Sequence, residues 1–144
     1  MKLNGEVNQL QGLIHLEKFS PDILPYSGVL VQYILKKIRE QTEEVNQTTT
    51  DPDQRLRHNL MSMEMERVKF MLKSYLRARL VKIERHLIFV IEKDQSALLS
   101  DSEMEFAWKL FNNKRDVFHN EFFVKLPSKM AILEEDSIDN RLGK

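Results

Sequence analysis

At 144 residues the chain suits a single domain large enough to close its own core. Its 22 basic and 22 acidic side chains cancel, so no global field draws it toward nucleic acid or a membrane surface. The lack of cysteine excludes a disulfide scaffold, a thiolate metal site and a thiol nucleophile, and a hydrophobic content of 42% argues against wholesale disorder.

Four helices are expected, making an all-α, elongated bundle with one long central helix. The first covers about 3–16, where Leu3, Val7, Leu10 and Ile14 repeat at the spacing of one helical face. "FSPDILPYSG" then turns the chain, because two prolines in that window cannot continue a helix. A second helix covers about 28–46, with Leu30, Ile34, Ile38 and Val45 pointing inward. After the polar "NQTTTDPD", Asp51 can cap a third helix, Pro52 suits its first position, and Gln54 stands where a capping box needs it. Neither Gly nor Pro occurs between Pro52 and Pro127, so this helix is expected to run to about 93.

The fourth helix opens at "LSDSEM". Ser100 caps, Glu103 reaches back, and Leu99 can staple to Met104. It continues through Trp108, Phe111, Phe118 and Phe122 and stops before Pro127. The longest apolar run, Leu87–Ile91, is far short of a bilayer span, so no membrane partner is expected.

Within "ERVKFMLKSYLRARLVKIERH", residues 66–86, Val68, Leu72, Tyr75, Leu76, Ile83 and, further on, Val90 share one broad face. Arg79 and His86 fall on that same face. Two readings of Arg79 stand: its head snorkels to the helix edge, or it is buried and needs a carboxylate. Its own helix offers no acid three or four positions away, so the partner must come from another helix or another chain.

On the opposite side Phe70, Val81 and Ile88 lie close together in angle, with Arg77 between them. They mark a candidate interface. A helix over 52–93 is roughly 60 Å long, whereas a compact domain of this size spans only about 35–40 Å. The other helices, about half as long, cannot cover both of its sides. Partner chains are the favoured cover.

The segment "MEMERVKFMLKSYLRARLVKIERH" (63–86) resembles the central signature of the SLD-five type of subunit of the eukaryotic GINS complex. The matching positions are Met63, Glu64, Glu66, Arg67, Phe70, Ser74, Tyr75, Leu76, Arg77, Arg79, Leu80, Lys82, Ile83 and Glu84. "EKFSPDIL" (17–24) and "LSDSEMEFAWKLF" (99–111) are similar to that family's first turn and last helix. The resemblance implies a helical A-type domain over 1–127, with 128–144 a linker or tail too short for the β-rich B domain that members usually carry. It further implies a nuclear, non-enzymatic scaffold subunit that assembles with three PSF-type GINS subunits. Through that complex it would meet the MCM helicase ring and the CDC-forty-five cofactor, and DNA only indirectly or weakly. No cofactor is implied.

Catalysis finds little support in the residues. His15, His58, His86 and His119 show no metal-ligand spacing, and no glycine-rich loop could cradle phosphate. The alternative is a basic helical module for nucleic acid, because residues 55–85 hold nine Lys or Arg against three Glu. Those cations point in several directions, which suits solvated surface and interchain ion pairs at least as well. A self-assembled coiled coil is disfavoured, since the core-facing stripe is too wide for a heptad seam.

Overall fold

The computed structural model describes residues 4–45, 52–92 and 95–126. Among them the regular elements are helical: α1 (Asn4–Phe19), α2 (Gly28–Val45), α3 (Pro52–Arg85), α4 (Leu87–Glu92) and α5 (Asp101–Glu121), with short 3₁₀ turns at Gln95–Leu98 and Phe123–Lys125. The all-helical bundle and its long third helix are as expected from the periodicity. Leu3, the Asp51 cap and the 128–144 tail lie outside the described residues. The chain divides into two compact units, residues 1–81 and 82–144.

The first unit closes on a three-helix core. Val7, Leu10 and Ile14 of α1 meet Val31, Ile34 and Ile38 of α2 and Val68, Met71, Leu72 and Tyr75 of α3. Leu10 and Ile34 are wholly buried, each such side chain contributing about 1.5–3 kcal/mol. The spacing located this core except for Val31 and Met71. Leu30 and Val45, expected inside, are only half-buried. Sulfur softens two polar contacts at the rim, where Gln11 Nε2 lies 3.7 Å from Met71 Sδ and Thr42 Oγ1 lies 3.9 Å from Met65 Sδ.

The second unit begins with the last turn of α3. Here the structure departs from the expected continuous helix to residue 93, because one residue of turn, His86, separates α3 from α4. The backbone ladder nevertheless bridges the interruption. The His86 N–H donates to the Lys82 carbonyl and the His86 carbonyl accepts from the Val90 N–H, both at 2.9 Å. Up to Arg79 the buried stripe holds one side of α3, but Ile83, Leu87 and Ile91 recur every fourth residue, and each such step turns roughly 40° around a helix. His86, which the simple periodicity put on the core face, is exposed.

Within this unit α4 packs against α5. The start of α5 is fixed as its sequence demands. Ser100 Oγ accepts from the Glu103 N–H at 3.3 Å, and Glu103 Oε2 accepts from the Ser100 N–H at 2.9 Å. Leu99 and Ala107 are buried, whereas Trp108, Phe118 and Phe122, through which the helix was expected to continue, are substantially exposed. Lys114 reaches back to Glu84 at 3.7 Å.

Candidate protein interface

The residues of the 63–83 motif divide by what they touch. Tyr75, Arg79, Lys82 and Ile83 are buried; Ser74, Leu76 and Leu80 are half-buried; Met63, Glu66, Arg67 and Arg77 are exposed. The motif thus carries both an internal cluster and an external face on one helix.

Arg79 organises the internal cluster. It is 0% exposed and lies against Glu17, itself 1% exposed, with Nη1 donating to Glu17 Oε2 at 3.1 Å. The same nitrogen donates to the Leu24 carbonyl at 2.6 Å. The guanidinium carbon stands 5.4 Å from the centroid of the Tyr26 ring and 5.8 Å from that of Tyr75. Tyr75 Oη in turn accepts from the Ser27 N–H at 3.4 Å. One cation and one phenol of α3 therefore hold the non-helical 20–27 connector, while the carboxylate comes from α1. Of the two readings of Arg79, the buried one is correct.

Glu17 escaped identification as that carboxylate, although a signal existed. Val7, Leu10, Ile14 and Glu17 are spaced 3, 4 and 3, so the acid occupies an apolar position of the α1 stripe, as Arg79 does in the α3 stripe. Two opposite charges, each out of place in its own helix, complete one another. A buried ion pair is poor ground for claiming stability, but loss of either partner is costly.

The surface carries apolar residues where solvated helices would be polar. Phe70 is 70% exposed, and Val81 is exposed on the same helix. Ile88 is exposed on α4. Arg77 is exposed as well. On α5 the exposed Phe118 stacks on Phe122 and meets Phe123 edge-on, each pair with centroids 5.2 Å apart. Scattered apolar residues are ordinary on a surface; aligned or clustered ones mark contact sites.

The basic residues of α3 are less available than their number implies. Arg67 bonds Glu64 at 2.9 Å and Lys69 bonds Glu66 at 2.7 Å, while Arg79 and Lys82 are buried. Arg55, Arg57, Lys73, Arg77 and Arg85 remain exposed. Among the described residues no group of three or more potential ligands could hold a metal ion, and no helix is long and apolar enough to cross a membrane. His15 stacks on Phe19 with centroids 6.1 Å apart, and His119 lies 6.2 Å from Phe123.

These observations define a helical-bundle protein with a closed first core and apolar residues left at its surface. Residues 32–122 match the family model for Sld5, the GINS complex protein helical bundle domain, and the chain belongs to that family. It is similar to the DNA replication complex GINS protein SLD5 of Arabidopsis thaliana, at 32% identity over 93% of this chain and 61% of the relative. The protein of the same name from Debaryomyces hansenii is 26% identical over 90% of this chain and 60% of the relative. For that from Homo sapiens the figures are 28%, 79% and 52%. The chain thus spans between about half and three fifths of the curated relatives it matches.

Proposed function

We propose that this chain is a non-enzymatic structural subunit of a heterotetrameric GINS complex acting in DNA replication. In this reading it assembles in the nucleus with three PSF-type sister subunits. The complex joins the MCM ring and the CDC-forty-five cofactor in the replicative helicase, for initiation and fork progression. The supporting observation is the double character of α3, whose inner side closes a core with α1 and α2 while its outer side keeps Phe70 and Val81 in water. Membership of the Sld5 family supplies the assembly to which such a helix belongs.

The test is co-expression with and without the three sister subunits, followed by sedimentation. The expected result is a stoichiometric complex with all three sisters and a poorly behaved chain without them. A stable monomer that ignores every sister would refute the reading. Titration with duplex DNA across salt concentrations separates the nucleic-acid alternative, for which affinity would fall steeply with added salt.

A further inference from the structure

Opposite its core-facing stripe, α3 carries five exposed apolar residues: Leu56, Leu60, Met63, Phe70 and Val81. They share one register. Steps of four and three residues in strict alternation pass from Leu56 through all of them, and the positions between are Arg67, Ser74 and Arg77. This is the 3.5-residue period of a seam along which another helix lies, and it is narrower than the inward stripe. From Leu56 to Val81 it runs roughly 38 Å at 1.5 Å per residue.

The polar positions of the seam say what should cover it. Arg67 is held by Glu64 and Lys69 by Glu66, so these two glutamates beside the seam already have partners. Arg77 is different. None of the residues three or four positions away from it is acidic, and neither it nor the neighbouring Lys73 makes an ion pair among the described residues. Covering Arg77 with an apolar surface alone would strand a charge, so the cover must bring carboxylates.

We propose that this seam docks one amphipathic helix of another chain, with apolar residues at the same 3.5-residue period and an Asp or Glu opposite Arg77. A second copy of this chain fits poorly. In parallel register Arg67 and Arg77 would face their own duplicates. Antiparallel, with Leu56 opposite Val81, Arg77 would meet Leu60, again with no acid. The inference rests on the chain being an assembly subunit, and it adds the face, the period and the charge of the partner helix.

The experiment uses this chain co-expressed with the three PSF-type sister subunits. A photo-cross-linking amino acid is placed at Met63 or Val81, and Arg77→Glu is compared with Lys36→Glu on the exposed side of α2. Cross-links should map to one helix of one sister, with acidic residues within a turn of the attachment point. Arg77→Glu should lower the recovered complex by at least about tenfold while leaving the circular dichroism of the chain unchanged, and Lys36→Glu should do neither. Reversing the acid in the cross-linked helix to Lys should restore recovery. If Arg77→Glu assembles normally, or the cross-links map to a helix without acids, the seam proposal fails while the subunit reading stands. Cross-links between two copies of this chain overturn the proposed partner chemistry. Failure of the unmodified chains to assemble removes the subunit reading, and the seam falls with it.

Discussion

Arg79 of α3 and Glu17 of α1 are 62 positions apart in the chain and meet at 3.1 Å, both sealed from solvent. Their contact sets the relation of α1 to α3, and the additional bond from Arg79 to the Leu24 carbonyl sets the connector between α1 and α2. Apolar side chains could fill that volume in several registers. A guanidinium with a fixed donor geometry accepts far fewer, which makes the pair a device for specifying one arrangement.

Removing one member alone should therefore be severe. Arg79→Met or Glu17→Met is expected to destabilise the fold by about 3–5 kcal/mol, because the survivor is left as an uncompensated buried group. The double variant Glu17→Met/Arg79→Met should lose much less than the sum of the single losses. Urea denaturation of all four proteins at one concentration measures this coupling, and strictly additive losses would show that the two residues act independently.

The connector offers a finer test. Tyr75→Phe removes the oxygen that accepts from Ser27 N–H at 3.4 Å and leaves the buried ring in place. The bond is long, so the expected cost is at most about 1 kcal/mol. The effect should be local. Amide exchange at Ser27 should accelerate, while exchange in the middle of α2 stays unchanged.

At the start of α5, Ser100→Ala should cost about 0.5–2 kcal/mol in thermal or chemical unfolding of the chain, since it removes the acceptor for the Glu103 N–H. Ser100→Asp should recover most of the loss, because a carboxylate accepts the same bond and favours the positive end of the helix dipole. A loss that Asp cannot repair would point to packing around Ser100 instead of capping.

Three surface glutamates give a pH signature. Glu40, Glu66 and Glu105 are held below the ordinary 4.5 first by hydrogen bonds from Lys37, Lys69 and Lys109. A carboxyl depressed in the folded state adds stability above its unfolded pKa and loses it as pH falls through the folded one. Their contribution should thus be complete at neutral pH and fade only below about 4.5. Side-chain carboxyl resonances should titrate with midpoints below that value at low salt and move back toward it in about 1 M salt.

How far these features can be read from the sequence depends on the range of the force behind them. Val7, Leu10 and Ile14 announce their face by spacing alone, and the Ser100–Glu103 box is complete within four residues, so both are legible. Arg79 is visible as an anomaly. Its resolution is only half legible: Glu17 stands out as an acid in the apolar stripe of α1, but it becomes a partner only when α1 and α3 are brought side by side. The interruption at His86 has no Gly or Pro to announce it. Exposed Phe70 and Val81 are legible as misplaced apolar residues, and under the proposed function their role depends on molecules beyond the chain.

Phe70 also allows the energetics of the chain to be separated from those of its assembly. Ile34→Ala empties a fully buried site and should cost about 2–5 kcal/mol. Phe70→Ser removes a larger side chain, but one already 70% exposed, so the stability of the chain by itself should change by no more than about 0.5 kcal/mol. Under the proposed function the order reverses when co-assembly with the sister subunits is measured at a temperature where both variants are folded. Phe70→Ser should then be the more damaging change, because it strips the outer face of α3 while leaving the inner one intact. If Phe70→Ser unfolds the chain as readily as Ile34→Ala, Phe70 is part of the chain's own packing and the outer face of α3 loses its central contact.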